Sequence, residues 1–377
     1  MSDDIQPAVP VLRSPTMEVG INYAWAFNRY GTWIGPRDIE KELPTGIGDE
    51  IPVFRDIRAN PPEGTLAANL TILKNEFKIR KVRMFILCNA YNYGHYPISN
   101  VTPSGRSFFT APTSLHPLFL SHFRQLLEVF QSKQMQIIPS LLDFGAIYPR
   151  LGSGGGRTSI VTSQRERFLE TVVAPFVNLS RSFRDTIYAW EAINEPYWNV
   201  MTGFGKARPH TSDSGPDVSK DVMASFIRDM INIFQDAGFE STVGHRFLDD
   251  LTENVMPSGT LPQYHYYALT PYVPNIGGAY RSDPMAIPEF DPAKPRFIGE
   301  IAAGVDRSWP ECNGADSSVA DAAFERLKVL AKKNYKLAFL WPDMHDSASN
   351  DDLKFSRGAQ ESIKRFTTGL FPNGIPP

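Results

Sequence analysis

Two glutamates offer the clearest chemistry in this sequence. Glu195 stands in Trp190-Glu191-Ala192-Ile193-Asn194-Glu195-Pro196, and Glu300 ends the run Arg296-Phe297-Ile298-Gly299-Glu300. Each follows a short apolar stretch that reads as a strand, so each is expected at a strand tip. A lone carboxyl there is often only a polar group meeting solvent. As a pair, the two can do what glycoside hydrolysis requires. One carboxyl holds a proton for the leaving oxygen, and the other stays ionised and attacks the anomeric carbon. For a retained configuration they should stand roughly 5–5.5 Å apart. Glu191 lies deeper on the same strand as Glu195 and is expected to make a buried polar contact.

The elements that must position this pair alternate along the chain. Apolar runs at 17–25 (MEVGINYAW), 81–88, 135–142, 186–193, 241–244, 262–269, 296–301 and 335–341 read as strands. Several of them are apolar throughout, as strands covered on both faces must be. Helices are expected at 64–77, 116–133, 164–184, 218–237, 317–333 and 360–367, where apolar residues recur at helical spacing. Leu66, Leu70, Leu73 and Phe77 show that spacing in the first of them. Eight strands with helices between most of them form a βα series, which can close as a barrel or stay open as a doubly wound sheet. No strand is followed by a GxGxxG turn in the first half, which argues against a dinucleotide fold.

If the series closes, the strand C-terminal ends converge on one face and carry the chemistry. The residues so placed are Trp25, Arg83, Asp143, Asn194, Glu195, His245, His265, Tyr267, Glu300 and Trp341. None is grouped at metal-ligand spacing along the chain.

Bulk properties narrow the function further. The chain has 377 residues, enough for one large α/β barrel with insertions. The net charge of −3 gives no reason to expect attraction to nucleic acid or to anionic membrane. Cys88 and Cys312 are the two cysteines, which rules out a disulfide framework and disfavours a multi-cysteine zinc site. No apolar stretch is long enough to span a bilayer. The polar start MSDDIQPAVP lacks the apolar core of a signal peptide, so a cytoplasmic protein or a trimmed secreted one is expected. Residues 1–16 read as an extension and 17–377 as one catalytic domain.

The motifs resemble those of the clan A glycoside hydrolases, which include families 5 and 39. Trp190-Glu191-x-x-Asn194-Glu195-Pro196 resembles the clan's acid/base motif, and Ile298-Gly299-Glu300 its nucleophile motif. His265-Tyr266-Tyr267, Trp341, Arg83 and Val243-Gly244-His245 resemble residues at the ends of the sixth, eighth, second and fifth strands. The third strand departs from family 5, reading Leu142-Asp143-Phe144-Gly145 where a histidine is common, so a family 39-like relationship stays open.

This resemblance, which spans 17–367, implies a single-domain (β/α)8 TIM barrel and a retaining β-glycosidase. It makes Glu195 the acid/base, with a raised pKa, and Glu300 the nucleophile, kept ionised by donors from Arg83 and Tyr267. It further implies that Asn194 bonds the sugar 2-hydroxyl, that His265 supports the site, and that Trp341 stacks on a sugar face. Trp198, tethered beside Glu195, is a candidate subsite residue. No cofactor and no metal are implied.

The expected partner is an oligo- or polysaccharide, with endo action on a β-glucan or mannan favoured because the loops after the first, second, third and seventh strands are long. A transglycosylase, an exopolysaccharide-processing hydrolase and a non-catalytic carbohydrate-binding barrel are the competing readings. Gly152 to Gly156 reads as a loop without the Lys-Ser/Thr of a phosphate cradle. Tyr91, Tyr93, His95 and Tyr96 could line a subsite or simply pack a loop, and Asp343, His345 and Asp346 could meet substrate or water.

Overall fold

A computed structural model describes residues 17–23, 66–87, 98–101, 107–109, 115, 117–144, 160–200, 218–246, 250–251, 256–266, 297–302, 319–341 and 357–368. The strands are β1 (Glu18–Asn22), β2 (Lys81–Phe85), β3 (Ile98–Val101), β4 (Ser107–Phe109), β5 (Gln136–Asp143), β6 (Trp190–Asn194), β7 (Ser241–Gly244), β8 (Thr260–Leu261), β9 (Gln263–Tyr266), β10 (Phe297–Ala302) and β11 (Leu337–Trp341). The main helices are α1 (Leu66–Glu76), α2 (Pro117–Ser132), α3 (Arg165–Phe168), α4 (Ala174–Ser180), α5 (Lys220–Asp236), α6 (Val319–Lys332) and α7 (Arg357–Thr368).

Nine strands form one parallel sheet in the order β8-β7-β6-β5-β2-β1-β11-β10-β9, while β3 and β4 make a separate antiparallel hairpin. The two ends of the sheet are halves of one strand. β8 pairs with β7, Pro262 interrupts, and β9 pairs with β10. A parallel bridge between His245 and Tyr264, with the His265 amide donating to the His245 carbonyl at 2.8 Å, completes the ring. Eight strand positions with helices between them make this the (β/α)8 TIM barrel, and the open-sheet alternative falls.

Local sequence explains most elements. In α5 the Ser219 hydroxyl caps the first turn by accepting from the Val222 amide, and Met223, Phe226, Ile227, Met230, Ile231 and Phe234 form the buried stripe. The helix ends at Gly238, in left-handed backbone, with Phe239 N–H reaching the Phe234 carbonyl and Gly238 N–H the Gln235 carbonyl. Lys78, Gln134 and Asn334 adopt the same left-handed turn after α1, α2 and α6, each just before a strand.

The single helix expected over 164–184 is broken. A π-turn, Leu169–Val173, joins α3 to α4, and a 3-10 segment, Arg181–Thr186, follows. Pro175 supplies the reason, because it has no amide hydrogen for an i to i−4 bond and its ring crowds that turn. The first strand is shorter than read and ends at Asn22, whereas Trp25 lies outside the described residues. No helix among the described residues is long and apolar enough to cross a membrane.

Between sheet and helices lies a continuous apolar core that includes Trp190, Phe123, Phe176 and Phe234. Trp190 stacks on Phe234 with ring centroids 5.4 Å apart. This packing fixes β6 from outside, so the inward side chains of Glu191 and Asn194 leave from a rigid base.

Candidate active site

The barrel interior holds a polar network centred on Arg83, which is 1 % exposed. Its guanidinium uses all its donors. Nε and Nη2 hold the two Glu191 oxygens at 2.7 Å each, Nη2 also bonds Asn194 Oδ1 at 2.6 Å, and Nη1 bonds Asn22 Oδ1 at 2.9 Å and Glu300 Oε1 at 2.7 Å. Burial alone would favour loss of the Arg83 proton, but Glu191 and Glu300 outweigh it and hold the proton more firmly than usual.

Glu191 is fully buried, as expected of it. It also accepts from Ser140 Oγ at 2.7 Å and Gln263 Nε2 at 2.8 Å. Burial pushes its carboxyl pKa up, yet Arg83 and Ser140 more than reverse this and leave it below the ordinary value. Glu191 therefore stays a carboxylate that anchors Arg83.

Above this layer stand the two candidate carboxylates. Glu300 lies in β10, where the pairing registers with both neighbours shift between Ile298 and Glu300 or Ile301. That bulge re-aims the chain at Glu300. Glu195 follows the last residue of β6 and has left-handed backbone, φ 47° and ψ 47°, immediately before Pro196. Such backbone costs a non-glycine residue about 1–3 kcal/mol and persists only when its surroundings impose it. Here the Glu195 amide donates to the Gly244 carbonyl at 2.7 Å, and Glu195 Oε1 lies 2.8 Å from His265 Nδ1.

His265 bridges the pair. Its Nδ1 is also 3.6 Å from Glu300 Oε2, and one ligand atom from each of Glu195, His265 and Glu300 lies within 4.8 Å of the others. Burial drives the His265 pKa down to about 4, with Arg83 adding to the effect and Glu300 and Glu191 opposing it. The ring is thus neutral near pH 7. Its Nε2 has no hydrogen-bond partner among the described residues, so the ring's polar contact to the site is through Nδ1, facing Glu195. His245, at the end of β7, is driven to about 3, by burial first and by His265 second, and its ring stacks on Tyr197 with centroids 6.0 Å apart.

The site residues read from the sequence divide into three groups. Arg83, Asn194, Glu195, His265 and Glu300 are brought together. Arg83 makes the contact to Glu300 expected of it, whereas Asn194 is engaged by Arg83 and, through Nδ2 at 2.8 Å, by Asp143. Trp341 ends β11, half-buried, tilted against Phe85 at 6.2 Å. Tyr267 lies outside the described residues, as do Tyr91, Tyr93, His95, Tyr96, Asp343, His345 and Asp346; Trp198 has only its backbone described, in the 3-10 turn Pro196–Asn199.

Sequence reasoning missed Asn22, Ser140 and Gln263, all buried on barrel strands. A polar residue inside an otherwise apolar strand was the available signal. It also found no ligand-spaced cluster, because Glu195, His265 and Glu300 come from three separate strands.

An eight-stranded α/β barrel with a carboxylate pair at the C-terminal ends of its strands is the class that fold and site define. No protein-family model matches the sequence, and no curated protein matches it. Solved structures do match. The endo-1,4-β-mannanase from Eisenia fetida aligns with TM-score 0.57 and 19% identity, over 93% of this chain and 90% of its own. The β-mannanase from the blue mussel Mytilus edulis gives 0.55 and 16%, over 93% and 92%. A broad-specificity endoglucanase from an uncultured bovine rumen ciliate gives 0.52 and 12%, over 96% and 100%. The fold resemblance to these mannanases and this endoglucanase therefore extends over almost the whole chain.

Proposed function

We propose that this protein is a retaining β-glycosidase that cleaves a β-linked polysaccharide, with Glu300 as nucleophile and Glu195 as acid/base. The observation that carries this reading is that one oxygen of Glu195, just after β6, lies within 4.8 Å of one oxygen of Glu300, in β10. That approach suits direct attack better than the wider spacing, roughly 6.5–9.5 Å between carboxyls, that an inverting enzyme needs for its water.

In the first step Glu300 attacks the anomeric carbon and forms a glycosyl ester. The aglycone bond breaks, and the leaving oxygen takes the Glu195 proton. In the second step Glu195, now a carboxylate, removes a proton from water as that water attacks the anomeric carbon and releases Glu300. Arg83 keeps one Glu300 oxygen bonded as an anion, and two carboxyls so close favour a single charge between them. The neutral His265 ring, hydrogen-bonded through Nδ1, orients Glu195 without adding charge. Asn194 is assigned to the substrate 2-hydroxyl, Trp341 and Trp198 to sugar faces, and Tyr267 to Glu300.

The neighbours' names favour a β-1,4-linked gluco- or manno-polymer and internal cleavage. Reducing-sugar release from β-glucans, mannans and xylans tests the reading with wild type, Glu300→Gln and Glu195→Ala. Proton NMR of the first product should show the retained β anomer. Full activity in Glu300→Gln would refute the assignment. An oligosaccharide ladder that grows with added acceptor would favour the transglycosylase reading instead. Binding without any turnover would favour the carbohydrate-binding one.

A further inference from the structure

Glu300 is held through its carboxylate by Arg83, but the backbone that aims it is held elsewhere. Gly299, the residue before it, sits in the β10 bulge. From the β11 side, Asn22 Nδ2 donates to the Gly299 carbonyl at 2.9 Å, while Asn22 Oδ1 accepts from Arg83. From the β9 side, the Gln263 side chain lies against the Gly299 Cα. A Cβ there would collide with Gln263 Nε2 and come 2.8 Å from its Cδ. Gln263 cannot swing away freely. It is fully buried, its Nε2 donates to Glu191 Oε2 at 2.8 Å, and its Oε1 lies 3.1 Å from Thr242 Oγ1.

We propose that Asn22 and Gln263 are positioning residues for Glu300: together they grip Gly299, set the bulge, and so fix the stance of the Glu300 carboxylate relative to Glu195. The glycine at 299 is required by the space Gln263 fills. Asn22, Arg83, Glu191, Gln263 and Gly299 form a closed circuit in which Arg83 fixes one end of the nucleophile and the two amides fix the other. A shift of about 1 Å in a reacting group can cost a hundredfold in rate, so the circuit is a determinant of kcat rather than of substrate affinity. This inference rests on the proposed role of Glu300.

The test uses Gly299→Ala, Gln263→Ala and the double variant. In Gly299→Ala we expect kcat on 2,4-dinitrophenyl β-cellobioside or β-mannobioside to fall about 100-fold with KM little changed. In the double variant the new methyl enters the vacated space, and we expect at least tenfold recovery over Gly299→Ala. Losses that simply multiply would overturn the proposal. Crystal structures give a readout independent of turnover. Gly299→Ala should lose the 2.7 Å contact from Arg83 to Glu300, and the double variant should restore it. Glu300 unmoved in Gly299→Ala, with Gln263 merely displaced, would also overturn it. Should Gly299→Ala not fold, Asn22→Ala, which frees the Gly299 carbonyl, must show the same kcat loss and the same displacement. Glu300→Gln separates the two layers of argument. If it keeps activity, the assignment of the nucleophile fails, whereas inactive Glu300→Gln beside multiplicative losses sinks only the positioning role.

Discussion

Arg83 bonds two glutamates, and the barrel treats them differently. Below the guanidinium, Glu191 accepts from both arms of Arg83, from Ser140 and from Gln263, with no exposed surface. Above it, Glu300 accepts from one Arg83 nitrogen and turns its other oxygen toward His265 and the side where Glu195 stands. The lower layer is saturated and structural. The upper layer holds two carboxyls close together, an arrangement that costs stability and that the proposed double displacement would use. The difference teaches that ionisable residues in a barrel interior are told apart by how completely their acceptors are used.

The sharpest way to break this comparison is to remove one charge from each layer. Glu300→Gln should lower kcat by about four orders of magnitude or more, in the manner of a lost nucleophile, while thermal unfolding stays close to wild type. Glu191→Gln should instead strip Arg83 of its main partner. We expect a loss of about 3–5 kcal/mol of stability, visible as an early denaturant midpoint. If Glu191→Gln unfolds like wild type, the lower layer is not the anchor described.

Glu195→Ala divides the upper layer. Turnover of natural polymer should fall by about 100-fold or more, the range for a lost general acid/base, and added azide should restore activity toward substrates with activated leaving groups. Failure of azide rescue would count against its role in the second step.

Acid should act on the whole network. His265 and His245 are depressed to about 4 and about 3 from an ordinary 6.5. Below 6.5 the unfolded chain therefore binds protons that the native state refuses. Stability is full above pH 6.5 and declines as pH falls toward 4 and then 3, at about 1.4 kcal/mol per unit for each histidine. Denaturant melts at pH 7 and 4.5 should differ, and the difference should shrink in His265→Gln. Equal midpoints would show that the buried rings are not neutral as described.

The smallest effect is expected at the rim. Trp341→Ala should raise KM by about tenfold with kcat nearly intact, the loss of one stacked aromatic face. Chelator treatment should leave turnover unchanged. Loss of activity in EDTA, restored by a divalent cation, would recast Glu195, His265 and Glu300 as metal ligands.

How much of this was legible beforehand depended on range. The apolar runs and helical stripes were readable because strand and helix periodicity is local. Glu195, Glu300, Arg83, Asn194 and His265 were readable because each stands in a short motif near a strand end. Pro175 breaks the helical stripe of 164–184 locally, through its missing amide hydrogen. Asn22 and Gln263 stand in no such motif, and their one signal, a polar residue within an apolar strand, does not say what they touch. Asn22 finds its partner 277 residues away, at Gly299.

The sequence by itself determined the alternation of strands and helices, the candidate carboxylates and the likeness to one clan of hydrolases, since all of these are written in neighbouring residues. Tertiary structure alone decided that the sheet closes, through the bridge from His245 to Tyr264. It also decided that Glu191 is sealed while Glu300 is presented, and that Gly299 must lack a side chain. The physical reason is that burial and hydrogen-bond saturation belong to space shared by many strands, and no segment carries that information alone.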